Sequence, residues 1–536
     1  MNYKQIKYIL YAIIFLYFIV AAFILLTLTG GVDFDAALCI KMADNAYKHI
    51  PFNNYAHPDP QNLNKDGYEF MTWWSPGQYV LPLLIKNFLN VKLEIALKIL
   101  TAICLLFSGF GIFKLYGQLV NRKKYAGLPN DTQTNVIVLV SLVFTIGQPF
   151  FLSNLFFYDG GGILMLTWCP WFIWWVIKFG RITFYSLLTL LFLSLIGFFL
   201  KIAFTSIFMG ALFYLFLSKS IIIGNPFDNQ NLRKLFLNAF YLGLVFAVYI
   251  FIVKTVFLNH NTNISDSSTG IRLQPRVLVY PVVAPMLGMF SLDFIDRTYQ
   301  WIIAAAFILP VYYLILKSKA INLSYKYILI SFGGICIAFF SILYVLNVDV
   351  SYALRHYRII TILLTPAFFI SIWRGGNWGK YFAGALLSLC TVINITYFVK
   401  ALAGTVHNEN AVSDYSGLQS PFPAALIKKI HSLDNLKDKG REIFYFKNVD
   451  PAVALEVRNN RVLLEDNFAN FHFNNSLRFK PTLYFGYNIG AVYMIYPLND
   501  FKQDSTTYFT RFERYKKFEK IYQTGGYAIY QAVAMP

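Results

Sequence analysis

Two carboxylates, Asp33 and Asp35, stand directly after the first long apolar run of the chain, in Gly31–Val32–Asp33–Phe34–Asp35. A carboxylate there is shielded from bulk water yet reachable from a lipid, and can act as general base on an acceptor hydroxyl. Acidic residues also mark where a helix leaves a membrane, so the pattern leaves both roles open. Asp159 offers a second acid in Tyr158–Asp159–Gly160–Gly161–Gly162. Three glycines permit close backbone approach or a tight turn, and the acid is equally able to cap a helix.

The cations are as conspicuous as the acids. Lys201 is the lone charge between Thr183 and Leu217, and an ammonium in hydrocarbon calls for an anionic partner or a route to the interface. That partner would be a carboxylate of this chain or the phosphate of a bound lipid. Arg355, His356 and Arg358 cluster just ahead of a late apolar run, on the face where membrane loops disfavour cations. A phosphate leaving group would account for them, and Arg272 with Arg276 repeats the signal more weakly. His49, His57, His260 and Glu69 lack metal-ligand spacing. No cofactor is required by this chemistry; a divalent metal is compatible with it but not indicated.

The elements that must position these residues are membrane helices. The chain has 536 residues, of which 57% are hydrophobic, 18% aromatic and only 14% charged; its mean hydropathy is +0.51. Soluble domains carry about a quarter charged residues, which excludes that class. The net charge of +19 sits largely in short loops between apolar runs, so it reports topology and not nucleic-acid binding. Four of the five cysteines lie in apolar runs and none forms a CxxC, so neither a disulfide framework nor a zinc site is expected. The first apolar run exceeds the ~7–15 residues of a signal peptide core and is expected to be a retained helix.

With about 20 apolar residues per span, eleven helices are expected, near 8–29, 94–117, 135–157, 161–179, 183–200, 202–217, 235–257, 301–316, 326–346, 357–373 and 380–399. The 183–217 run is too long for one span and is split at Gly197–Phe198–Phe199–Leu200–Lys201. With a cytoplasmic N-terminus, every loop then predicted inside is basic, as the positive-inside rule asks. The outer face receives the 31–92 loop, the Asp159 and Lys201 turns, the 258–300 and 347–356 loops, and everything after about 400. Within the first outer loop, 36–49 reads as a helix lying on the membrane surface with Lys41, Asp44 and Lys48 on its polar side. Residues 51–70 read as irregular loop, and Gln78–Ile85 as a second interfacial helix. Residues 403–536 mix charge with short β-rich runs and are expected to form a small extracytoplasmic α/β domain behind a 1–402 transmembrane domain.

These motifs resemble those of the GT-C superfamily of membrane glycosyltransferases, and the layout of the whole chain is similar. Val32–Asp33–Phe34 with Ala36–Ala37 and Tyr47 resembles the Asp-containing first-loop motif, and Trp74–Ser75–Pro76–Gly77–Gln78–Tyr79 the stretch that closes that loop. Gly197–Lys201 is similar to a Gly–x3–Lys turn near the lipid phosphate, and Asp159 falls where relatives carry a second essential acid. Leu354–Arg355–His356–Tyr357–Arg358 with Pro366 resembles the Arg-Tyr–x–Pro segment near the last helices. Tyr522–Tyr530 is similar to the end of the superfamily's C-terminal domain. Asp-Phe-Asp in place of the Asp-Glu of the protein O-mannosyltransferase and aminoarabinose-transferase branches leans toward polyprenyl-phosphomannose-dependent enzymes. The absence of a WWD motif disfavours transfer of whole glycans to asparagine.

The resemblance implies an inverting transfer of one sugar from a polyprenyl-phosphate donor to a hydroxyl of a lipid, glycan or protein acceptor, outside the bacterial cytoplasmic membrane. Asp33 would be the base, with Asp35 as alternate and Asp159 as second acid. Lys201, Arg355, Arg358, Arg272 and Arg276 would face the lipid phosphate, and Trp74, Tyr79 and His57 the acceptor. A polyprenyl-linked glycan flippase and a glycan polymerase or ligase are the alternatives.

Overall fold

A computed structural model of the chain describes residues 3–33, 36–37, 40–41, 54–59, 62–70, 75–120, 131–220, 229–257, 271, 273–292, 306, 308–319, 321, 323–347, 350, 354–373, 376–407, 412–420, 422–435, 442–447, 451–465, 491–498 and 518–533. It is mostly helical, with short strands. Contacts divide it into two compact units. One comprises Met1–Thr27, Thr101–Phe156 and Gly161–Ala403; the other comprises Leu28–Leu100, Phe157–Gly160 and Gly404–Pro536. The first outer loop therefore belongs with the C-terminal stretch and not with the helices that flank it in sequence.

Among the described residues, Tyr3–Thr27, Leu93–Val120, Gly161–Phe179, Asn231–Phe257, Leu323–Val345 and Gly384–Val406 are long and apolar enough to cross a membrane. Gln133–Ile146 and Pro149–Leu155 make a seventh if the pair, bent by 59°, counts as one span. Phe184–Leu200, Phe204–Ser220 and Arg358–Trp373 are apolar but shorter, so a count of eleven rests on these crossing as well. The eighth expected helix is described over Leu309–Lys317; 301–305 lies outside the described residues.

The 183–217 run breaks where the lone charge predicts. Lys201 is extended (φ −159°, ψ 129°) and closes the first helix, its N–H donating to Gly197 O at 2.9 Å. The Phe204 ring packs directly on the Gly197 backbone, where any Cβ would collide with it. Two large buried phenols find partners within the unit, as hydrocarbon surroundings favour: Tyr116 with Thr145 at 2.7 Å and Tyr325 with Leu363 O at 2.8 Å. Arg358–Trp373 is buried from Ile359 to Ile370 and forms the centre of the unit.

One element corrects the expected outer loop at 258–300. Pro275–Met289 is a helix, with Val277, Val283, Ala284, Met286 and Leu287 buried. It packs on Ile335–Val345 and Arg358–Trp373, and Thr361 donates to Pro285 O at 2.7 Å. Three prolines, at 275, 281 and 285, hide its helical pattern from the sequence.

The second unit is built on a mixed five-stranded sheet of order β6-β5-β7-β9-β8. Its strands are β5 (Ile443–Lys447), β6 (Arg461–Glu465), β7 (Ala491–Pro497), β8 (Phe518–Thr524) and β9 (Tyr527–Val533). β5 runs parallel to β6 and β7; β9 pairs antiparallel with β7 and β8. The β8–β9 hairpin turns through Gly525 and Gly526, both at positive φ (50° and 80°), as a tight two-residue turn requires. The helix Ala424–Asp434 covers the sheet, burying Leu426, Ile427 and Ile430 against Phe444, Phe446, Tyr493 and Ile529. Tyr79, Val80 and Leu83 of the helix Gly77–Leu89 enter the same core. The 51–70 stretch corrects its reading as irregular loop: β2 (Asn54–Asp59) and β3 (Asn62–Phe70) form an antiparallel hairpin, and Asp66 binds Arg461 at 2.8 and 2.9 Å.

A candidate active site

Of the expected site residues, the structure brings Asp33 and Asp159 together within the second unit. Gly31–Val32 (β1) pairs in parallel with Phe157–Tyr158 (β4), with Gly31 opposite Phe157 and Val32 opposite Tyr158. The Asp33 N–H donates to Tyr158 O at 3.0 Å. The two acids directly follow this pairing, Asp33 after Val32 and Asp159 after Tyr158. Both acids are half-buried. Gly31 is needed for the pairing, because a Cβ there would lie 2.6 Å from the Phe157 ring.

Asp33 also starts a helical turn. Its carbonyl accepts the Ala37 N–H at 2.8 Å, and Ala36, Ala37, Ile40 and Lys41 that follow are all buried. Small side chains at 36 and 37 let this turn pack closely. On the other strand Gly160 adopts φ +59°, and a Cβ there would lie 2.9 Å from Gln78 Oε1 and 3.3 Å from Ala36 Cβ. Tyr158 donates its phenol proton to Gln78 O at 3.3 Å. The helix start at Gly77–Gln78, the Asp33 turn and the Asp159–Gly160 turn thus converge, with Gln78 only 4% exposed.

Gln78 is the residue that sequence reasoning missed. It lies inside the quoted Trp74–Tyr79 stretch, and the signal was available: an amide in the first turn of an apolar helix. Tyr79, expected toward the acceptor, is 4% exposed in the apolar core beside Phe422 and Leu426, which makes it a packing residue. Lys41, expected on a solvent-facing side, is buried. Asp35 and Trp74 lie outside the described residues; His57 falls in β2, where only the backbone is described.

The cations fall in the membrane unit. Lys201 is half-buried at the end of Phe184–Leu200. Arg355 lies in the 3-10 turn Leu354–His356; beside it the His356 ring meets Phe340 at 5.0 Å, and Tyr357 is fully buried. The Arg358 guanidinium stands 5.5 Å over the Phe150 ring, a cation–π geometry that holds it at the mouth of its helix. Arg272 lies outside the described residues, and Arg276 is in the helix Pro275–Met289 with only its backbone described. Among the described residues no group of three or more His, Cys, Asp or Glu is placed to hold a metal ion.

Two half-buried carboxylates on adjoining segments can divide the work of accepting and orienting a proton. Half-buried guanidinium and ammonium groups can neutralise a phosphate electrostatically.

No protein-family model matches the sequence, and no curated protein matches it significantly. Solved structures do. The chain is similar to ArnT from Cupriavidus metallidurans bound to undecaprenyl phosphate, with a TM-score of 0.57, 10% identity and 97% of each chain covered. Against the apo state of that protein the TM-score is 0.54 at 9% identity, covering 96% of each. It is also similar to the arabinofuranosyltransferase AftD from mycobacteria, with a TM-score of 0.50 and 11% identity. That match takes in all of this chain but 40% of the mycobacterial one.

Proposed function

We propose, on the premise that this chain is a multi-pass membrane protein with the GT-C fold of the membrane glycosyltransferases, that it transfers one sugar from a polyprenyl-phosphate donor to an acceptor hydroxyl. The observation that carries the reading is the β1–β4 pairing, from which Asp33 and Asp159 are the next residues on the two strands. The ArnT structure that it matches over 97% of both chains holds undecaprenyl phosphate, which supports a lipid-phosphate donor here.

In the proposed step Asp33 takes the acceptor hydroxyl proton as the oxygen attacks the anomeric carbon. The bond from that carbon to the phosphate oxygen breaks, with inversion, and its electron pair leaves on the polyprenyl phosphate. Asp159 orients the acceptor or the base. Lys201, Arg355 and Arg358 neutralise the departing phosphate. The reaction takes place at the outer face of a bacterial cytoplasmic membrane, and polyprenyl-phosphomannose is the first donor to test.

The test is transfer in proteoliposomes supplied with a panel of radiolabelled polyprenyl-phosphate sugars. Wild type consumes one donor; well-folded Asp33→Asn loses at least about 100-fold in rate, the scale expected for removing a general base. If Asp33→Asn matches wild type while Asp35→Asn is dead, Asp35 is the base. If no donor is consumed and labelled lipid crosses the bilayer, the chain is a translocator.

A further inference from the structure

Lys41 lies one turn beyond the Ala36–Ala37 pair, and its Nζ donates to Val457 O at 2.7 Å across 416 residues of sequence. It is 4% exposed, and lysines are almost never buried so fully unless paired. Val457 follows the 3-10 helix Pro451–Glu456, and carbonyls at a helix end lack intrahelical donors and favour a cation. The neighbouring Glu456 is engaged elsewhere, by His431 Nε2 at 2.8 Å and Ser413 Oγ at 2.7 Å.

A second bond of the same kind lies on the other side of Asp33: the Gln419 N–H donates to Gly30 O at 3.0 Å. The segment from Gly30 to Lys41 is thus fastened at both ends to the C-terminal part of the chain, with Asp33 between the fastenings. At one end the fastening is backbone to backbone. At the other it is a buried ammonium bonded to a backbone carbonyl, and removing a partner from a buried charge is costly.

We propose that Lys41 is a positioning residue for Asp33, setting the base against the acceptor through its bond to the Val457 carbonyl; this rests on the glycosyltransferase reading above. It touches neither donor nor acceptor. Its loss therefore slows turnover and leaves donor binding intact, since displacing a reacting group by about 1 Å costs on the order of 100-fold.

The test compares wild type, Lys41→Met and Lys41→Gln, the last keeping a donor on a shorter stem. Turnover is measured in proteoliposomes and polyprenyl-phosphate affinity by native mass spectrometry. Lys41→Met is expected to lower kcat about 10- to 100-fold with donor affinity within about twofold of wild type, and Lys41→Gln to fall between. A folded variant with unchanged kcat overturns the proposal. So does a parallel loss of donor affinity, which would make Lys41 a donor ligand, and so does failure of both variants to fold. Should wild type consume no donor, the enzyme reading falls by itself. Hydrogen exchange over 31–37 then decides the positioning: faster exchange in Lys41→Met with β5, β7 and β9 unchanged supports it, and unaltered exchange overturns it.

Discussion

Gly160 is the residue on which the turn after Asp159 depends most narrowly. Its φ of +59° would cost an alanine roughly 1–2 kcal/mol, and the added methyl would meet Gln78 Oε1 at 2.9 Å. Gly160→Ala is expected to lower the melting temperature and reduce sugar transfer about tenfold or more, because Asp159 must shift with its neighbour. Scanning fluorimetry and the proteoliposome assay check both effects. Asp33, Asp159, Lys201 and Arg358 were legible in the sequence because each is a charge where hydropathy makes charge expensive. Gln78 showed only as an amide in the first turn of an apolar helix and Lys41 only as one charge of a polar face, and the burial of neither was legible. Their burial is decided by partners such as Gly160 and Val457, and no local window of sequence contains those partners.

At the scale of elements, hydropathy told most where it could act alone. The break at Lys201 followed from one charge and one length. The helix Pro275–Met289 escaped notice because its prolines imitate a loop, and the β2–β3 hairpin because a polar strand carries little alternation to read. The C-terminal sheet announced itself through runs such as Ile443–Phe446, but its order depends on pairings distant in sequence. Within that sheet, burial and then the Glu442 carboxylate, which accepts the Tyr493 phenol at 3.3 Å, raise Tyr493 above its ordinary value of 10.0. The unfolded chain then releases this proton first, so the stabilisation is complete below about pH 10 and is lost as pH rises beyond it. Tyr493→Phe is expected to flatten the decline of melting temperature above pH 10, as thermal scans of the detergent-solubilised protein across that range would reveal.

For the molecule as a whole, the main fact is that residues 28–100 and 404–536 form one compact unit. Ending the chain after residue 403 would strip Phe422, Leu426, Ile430 and Phe444 from Tyr79, Val80 and Leu83, leaving apolar side chains without their cover. Such a truncation is expected to abolish transfer and to expose 28–100 to protease, whereas Gly161–Ala403 keeps its wild-type fragment pattern. Limited proteolysis in detergent distinguishes these. The bond from Lys41 to Val457, 416 residues apart, also bears on how the protein is made. At about 5–20 residues per second, the ribosome delivers the acceptor carbonyl some 20 to 80 s after the lysine it must receive. Throughout that interval the segment bearing Asp33 has been synthesised without its fastening, which becomes available only as the last quarter of the chain emerges. On the proposed mechanism nascent protein stays inactive until Val457 has been made, and a ribosome that stalls before it leaves behind a chain without this fastening.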